Sequence, residues 1–119
     1  MKVRVESAYS PERSQPARNR WFFFYTVQIS NEGTETVQLV SRHWIITDAT
    51  GHVEEVKGPG VVGEQPVLMP GEQFEYSSGT ALATAQGSMR GSFLCVTERG
   101  DVFHAPVAEF LLGTSNSLH

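Results

Sequence analysis

The segment GPGVVG, residues 58–63, has the spacing G-x-G-x-x-G that in many enzymes holds the phosphates of a dinucleotide. That chemistry needs glycines that end a strand and open a helix, because the helix N-terminus supplies free N–H groups and a partial positive charge. Here Pro66 and the turn signal Pro70-Gly71 follow too closely for a helix to form. The segment is therefore predicted to be a glycine-rich surface loop, with no nucleotide cofactor of the dinucleotide type.

The same loop could bind a small anion without a helix. Backbone N–H groups of a glycine-rich loop can form a concave nest for phosphate, and Arg42 or Lys57 could add positive charge. A phosphate, pyrophosphate or nucleotide at Gly58, Gly60 and Gly63 is accordingly an alternative hypothesis for function.

Histidine could indicate a metal centre, and the chain has four, at positions 43, 52, 104 and 119. None lies in an H-E-x-x-H motif or at another short paired spacing, and there is no C-x-x-C. We expect His43 to be a hydrogen-bonded strand residue and His119 to lie in a tail. No metal site is predicted.

The side chains that could be catalytic do not form a recognised catalytic set. Cys95 lies among Phe93, Leu94 and Val96, where burial would make a thiol inert, and no G-x-S-x-G motif is present. The adjacent Glu54-Glu55 pair would face opposite sides of a strand. Asp48 and Asp101 are typical turn formers. The sequence predicts a protein that is not an enzyme.

Arg42, His43 and Trp44 combine a guanidinium, an imidazole and an indole in one strand, a mixture suited to recognition. Arg42 and Trp44 should share a face. The alternative is that Trp44 is the core tryptophan of a sandwich, with Arg42 stacked beside it. Phe22 and Phe24 lie opposite the main aromatic row of their strand, so a neighbouring element must cover them or they form an exposed apolar patch.

Composition restricts the partners. The chain of 119 residues carries a formal net charge of −4, which argues against nucleic acid or an anionic membrane as the main partner. A single cysteine excludes an intrachain disulfide, and no apolar stretch is long enough for a membrane span. We expect a cytoplasmic protein in which residues 1–119 form one domain.

Period-2 alternation predicts strands almost throughout. It is clearest over Arg20–Ser30, where Trp21, Phe23, Tyr25, Val27 and Ile29 would form one apolar face. Seven or eight short strands separated by turn signals indicate an all-β, immunoglobulin or fibronectin type III-like sandwich, with an antiparallel barrel as the rival.

The ends and edges of the chain carry further signals. Residues 10–19 read as a mobile loop and residues 113–119 as a frayed tail. Pro106 predicts an edge strand. Phe110, Leu111 and Leu112 are expected to anchor the end of the chain in the core.

Three blocks, in this order and spacing, carry a family resemblance: RHW at residues 42–44, GPGVVGEQPVLMPGEQFEYSSG at 58–79 and GSMRGSF at 87–93. With them the chain resembles the ApaG family, the DUF525 domain, over nearly its whole length. The resemblance implies a fibronectin type III-like sandwich, found alone in bacteria and appended to some eukaryotic F-box and DNA-polymerase-interacting proteins, where it serves in protein–protein interaction. It supplies no catalytic residues, although members have been linked to cobalt and magnesium tolerance and to nucleotide or pyrophosphate binding.

Together these observations predict a non-enzymatic module that binds another protein through a sheet face and the glycine-rich loop. The candidate binding residues are Arg42, His43, Trp44, Gly58, Gly60 and Gly63. Pairing of a partner strand with a sheet edge is a further available mode.

Overall fold

The computed structural model describes residues 1–115, which form eight strands and one short 3₁₀ helix. The strands are β1 (Lys2–Gln15), β2 (Arg20–Ser30), β3 (Val37–Asp48), β4 (Val53–Pro59), β5 (Val67–Leu68), β6 (Gln73–Leu82), β7 (Gln86–Thr97) and β8 (Val102–Gly113). The 3₁₀ helix spans Pro16–Arg18. Within the described residues no helix is long and apolar enough to cross a membrane.

The strands form two antiparallel sheets that pack face to face. One sheet has the order β1-β2-β6; the other has the order β4-β3-β7-β8, with the two-residue β5 paired to β3 beyond the end of β4. The predicted sandwich of seven or eight strands is confirmed, and the barrel alternative is wrong.

Strand β2 shows how the alternation builds the core. Its bounds coincide with the predicted strand, and the side chains of Phe23, Tyr25, Val27 and Ile29 are buried while Trp21 packs against them from the margin. Trp44 of β3 meets this row from the opposite sheet, with its ring centroid 5.6 Å from that of Tyr25. Edge-to-face aromatic contacts of this kind join the two sheets.

A bulge in β3 decides which of its side chains face the core. Leu39 pairs with Cys95 and Ser41 pairs with Leu94, so Val40 has no partner on β7. Before the bulge the odd-numbered residues point inward, and after it the even-numbered ones do, as the burial of Leu39 and Trp44 shows. Without this extra residue His43 rather than Arg42 would face the core.

The predicted loop at residues 10–19 and the predicted tail at residues 113–119 need correction. Residues 10–15 of the predicted loop belong to β1, because Phe22 N–H donates to Ser14 Oγ (2.8 Å) and Gln15 pairs with Arg20 after a register shift. Residues 16–18 form the 3₁₀ helix. Of the predicted tail, Gly113 ends β8, residues 114–115 form a turn, and residues 116–119, including His119, lie outside the described residues.

Strand β8 is an edge strand, as Pro106 predicted. Its C-terminal half lies against β1 of the other sheet, where Ser7 Oγ donates to the carbonyl of Leu111 (2.7 Å). Leu112 is buried and Phe110 packs against the core, but the side chain of Leu111 is 70% exposed. The prediction that all three residues anchor the end of the chain is therefore wrong for Leu111.

Candidate functional site beside the glycine-rich loop

The glycine-rich loop turns back on itself after β4. Val61 and Glu64 form an isolated antiparallel bridge around Val62 and Gly63, whose φ angles are 42° and 81°. Positive φ at both central residues is the geometry of a tight two-residue hairpin turn. No helix follows, because residues 65–66 have no regular structure and β5 begins at Val67. The prediction that this loop lacks the setting of a dinucleotide site is confirmed.

Three backbone amides of the loop are already used inside the protein. Gly60 N–H donates to the carbonyl of Val40 (2.7 Å), and Val61 and Glu64 donate to each other's carbonyls (2.8 and 2.9 Å). Amides that donate internally cannot also converge on an anion. The small-anion hypothesis for Gly58, Gly60 and Gly63 stays a prediction, and this geometry gives it no support.

The loop holds the guanidinium of Arg42. The residue lies on the inner face of β3, and its Nη1 donates to the carbonyls of Pro59 and Gly60, both at 3.0 Å. A Cβ at Gly58 would come within 2.9 Å of Nη2 and 3.0 Å of Nη1, so the guanidinium lies directly against the bare glycine backbone. Gly58 and Gly60, the first two glycines of the pattern, therefore accommodate an arginine.

Gly60 makes this arrangement possible. Its φ of +60° is a left-handed conformation, and a Cβ there would clash with the carbonyl oxygen of Glu64. That backbone conformation turns the Gly60 carbonyl to Arg42 while its N–H reaches the bulge at Val40. The bulge, the arginine and the loop thus form one hydrogen-bonded unit at the edge of the larger sheet.

The three neighbouring residues Arg42, His43 and Trp44 do not form one surface. Trp44 is buried in the core, as the alternative reading expected, with Arg42 on the same face. His43 lies on the outer face of the sheet, where its Nε2 donates to Glu55 Oε1 (2.9 Å). Glu54 is directed to the other side of β4 and lines a separate cavity with His52. The prediction that the two adjacent glutamates cannot act together agrees with this placement.

A groove lies on the outer face of the larger sheet, beside the loop. Its cavity volume is about 550 Å³. The residues that line it are Val40, Ser41, Arg42, His43, Lys57, Gly58, Pro59, Gln65, Ser92, Leu94 and His104. Strand register places Ser41, Leu94 and His104 in one row across β3, β7 and β8, and His43 beside Lys57 and Ser92 in the next.

Several residues of the groove were not predicted from sequence. Ser41, Leu94 and His104 come from three different strands, and only the pairing order of those strands brings them together. Alternation along β7 could have placed Leu94 opposite the buried Phe93 and Cys95. No local signal could have placed it next to Ser41.

The structure places the remaining candidate residues in the core or in turns. Cys95 is fully buried, and burial raises the pKa of its thiol. Asp48 caps its turn by accepting hydrogen bonds from Thr50 and His52, and the bond from the Thr50 hydroxyl lowers the pKa of this carboxyl. Within residues 1–115 no group of three or more His, Cys, Asp or Glu side chains could hold a metal ion.

Phe22 and Phe24 lie on the outer face of the smaller sheet. Their rings pack edge to face with centroids 5.2 Å apart, and both are half-buried. The guanidinium carbon of Arg13, from the end of β1, lies 5.9 Å and 5.3 Å from the two centroids. A neighbouring element therefore covers this pair, one of the two outcomes that the sequence left open.

Comparison with known proteins agrees with this architecture. The family model of the ApaG domain (DUF525) matches residues 11–97. The chain is 53% identical to Protein ApaG of Nitrosospira multiformis, over 98% of this chain and 92% of that protein. It is 52% identical to Protein ApaG of Azotobacter vinelandii, over 98% of this chain and 93% of that protein.

A solved structure shows the same fold. The crystal structure of the protein designated ApaA from Bordetella pertussis superposes with a TM-score of 0.94 at 51% identity, covering 98% of this chain and 94% of that one. The family model matches residues 11–97, the relatives and the solved structure match nearly the full chain, and this protein belongs to the ApaG family.

Proposed function

We propose that this protein is a non-catalytic module that binds another protein in the groove beside the glycine-rich loop. The observation that carries the proposal is an open concave surface on an otherwise regular sheet face, with one wall fixed by Arg42 and the loop. A wall that is already ordered reduces the entropy lost when a partner binds.

The lining of the groove favours a protein segment over a small organic ligand. Small-molecule sites are enclosed and lined mainly by aromatic and apolar side chains. This groove has no Phe, Tyr or Trp among its lining residues, and polar side chains surround Leu94 and Pro59. Interfaces between proteins that associate reversibly are about as polar as the rest of the surface.

Charge narrows the class of partner. Among the described residues the lining includes Lys57, His43 and His104 but no Asp or Glu side chain, on a chain with a formal net charge of −4. Glu55, on the neighbouring strand β4, is paired with His43. We infer that the partner presents an extended segment with at least one carboxylate for Lys57 and an apolar side chain for Leu94.

Binding rather than catalysis is favoured by how the polar groups of the groove are engaged. His43 directs Nε2 to Glu55, and in the described residues no hydrogen bond joins its imidazole to the hydroxyls of Ser41 or Ser92. A nucleophilic hydroxyl needs such a bond to a base for activation. The one cysteine lies in the core instead of the groove.

Site-specific photo-crosslinking in living cells tests the proposal. A photoreactive phenylalanine derivative is placed at Leu94 or at Lys57 in the groove, and at Gln28 as the control. Gln28, like Leu94, is half-buried on the outer face of a central strand, but in the smaller sheet. We expect both groove positions to form an adduct with the same protein and Gln28 to form none. Equal labelling at Gln28, or no adduct from the groove, would refute the proposal.

A further inference from the structure

A second cavity lies between the two sheets, on the side where β4 and β6 face each other. It has a volume of about 160 Å³ and is lined by Tyr25, Arg42, Trp44, Ile46, Val56, Ser78, Gly79, Thr80 and Met89. One water molecule occupies about 30 Å³ of liquid, so the cavity has room for a small solute. On the opposite side of the sandwich β1 packs against β8 and closes the gap. We call this inner cavity the inter-sheet chamber.

One residue of the chamber wall carries a buried polar atom that lacks a partner. Among residues 1–115, Trp44 Nε1 is buried and makes no hydrogen bond, and the residue as a whole is more than nine-tenths buried. A buried donor without an acceptor costs about 1–3 kcal/mol. Such an atom in a native fold calls for an explanation, and a bound water, ion or small molecule is one of the recognised explanations.

The indole of Trp44 forms part of the chamber wall. A Cβ at Gly91 of β7 would lie 3.1 Å from Trp44 Cε3, so this edge of the ring faces β7. Nε1 is on the opposite long edge of the indole, away from that contact. Val56 of β4, which pairs with Trp44, and Ser78 of β6 line the chamber with it.

The donors at the chamber determine what it can bind. The indole N–H and the Arg42 guanidinium can only donate hydrogen bonds, and the hydroxyls of Ser78 and Thr80 can do so. Arg42 Nη1 donates to the loop carbonyls, and in the described residues Nε and Nη2 of this side chain make no hydrogen bond. Among the described residues no acidic side chain lines the chamber to balance this charge. The lining therefore favours an anionic acceptor.

We propose that the inter-sheet chamber binds a small monocarboxylate, whose oxygens accept hydrogen bonds from Arg42 and Trp44 Nε1. A planar carboxylate matches the fork of a guanidinium, and its single negative charge balances the one Arg42 charge. A doubly charged phosphate would leave a buried charge without a counterion. Arg42 borders both the chamber and the groove, but acetate binding and protein binding are measured separately, so either proposal can fail alone.

Titration of the ¹⁵N-labelled protein with sodium acetate tests the proposal through the indole N–H signal of Trp44. The Trp21 indole is an internal control, because Trp21 does not line the chamber, and sodium chloride controls for ionic strength. We expect a saturating shift of the Trp44 signal with acetate, a much weaker response to the neutral isostere acetamide, and weaker binding of phosphate.

Two variants separate specific binding from a change in fold. Arg42→Gln should weaken acetate binding at least tenfold, and Thr80→Val, which removes a hydroxyl at the exposed edge strand β6, should weaken it severalfold with an unchanged amide spectrum. An unmoved Trp44 signal, equal responses to acetate and acetamide, or acetate affinity unchanged in both variants would overturn the proposal. An unmoved signal would mean that the chamber holds water alone, and either of the other two results would mean that the response does not come from a carboxylate held by Arg42.

Discussion

The outer faces of the two sheets differ in whether another side chain covers their apolar residues. On the smaller sheet the aromatic pair Phe22 and Phe24 lies under Arg13. On the larger sheet the groove around Leu94 is uncovered, and the arginine nearest to it, Arg42, is drawn inward to the glycine-rich loop. The face with more aromatic surface is therefore the one that the chain itself covers, and the more polar face is left uncovered.

This difference arises from where each arginine is anchored. Arg13 is exposed and meets the rings by a cation–π contact, which contributes about 0.5–1 kcal/mol at such sites. Arg42 is held by two carbonyls, one bond exposed and the other half-buried, so the pair contributes about 1.5–3 kcal/mol, the range of one well-formed bond from a charged donor. Removing the hydrogen bonds of Arg42 should therefore lower the free energy of unfolding more than removing the cation–π contact of Arg13.

The largest effect is expected from Gly60→Ala. The added Cβ meets the Glu64 carbonyl in a left-handed conformation, so unfolding free energy should fall by about 3 kcal/mol, from backbone strain and overpacking together. Urea unfolding measures the change. Gly63→Ala is the matched control, since Gly63 also has positive φ but open space around it, and it should lose only about 1 kcal/mol. Equal losses would show that the packing against Glu64 is unimportant.

Arg42→Gln should have the next largest effect, a loss of about 2 kcal/mol, because the loop carbonyls lose a charged donor. Hydrogen exchange of the Gly60 and Glu64 amides should accelerate at the same time. Lys57→Gln removes a neighbouring charge that makes no hydrogen bond in the described residues, and should change stability by less than about 0.5 kcal/mol. Unchanged exchange in Arg42→Gln would mean that the loop is ordered without the arginine.

Arg13→Ala should cost least, about 0.5–1 kcal/mol, and it should expose the Phe22 and Phe24 rings. Binding of a hydrophobic dye should increase, together with concentration-dependent self-association in sedimentation velocity. Arg4→Ala, on the same face and without a contact to these rings, should leave both measurements unchanged. If Arg13→Ala behaves like Arg4→Ala, Arg13 does not cover the pair.

The sequence was most informative where one strand carries its own pattern. Strand β2 could be predicted to its bounds, because Phe23 to Ile29 alternate without interruption. The loop after β4 could be separated from a dinucleotide site, because Pro66 is a strong local signal. The role of Gly58 beside Arg42 could not be predicted, since the contact joins residues of two strands through their pairing.

The groove could not be predicted because it depends on the β-bulge at Val40, which has no signal in the sequence. Val40 is an ordinary strand residue, yet its bulge reverses the faces of Arg42 and His43. Strict alternation from the buried Leu39 would have placed His43 in the core and left Arg42 on the surface. Alternation within β3 was reliable on each side of the bulge, and only the paired strand β7 reveals the extra residue.

The most direct test of the central claim is calorimetric titration of the partner identified by crosslinking against two variants. Leu94→Arg fills the groove of the larger sheet, and Gln28→Arg places the same side chain on the outer face of the smaller one. We predict that Leu94→Arg weakens the Kd at least tenfold, a loss of about 1.4 kcal/mol, while Gln28→Arg leaves it unchanged. Equal affinities for both variants, or a loss confined to Gln28→Arg, would contradict the assignment of the groove as the binding face.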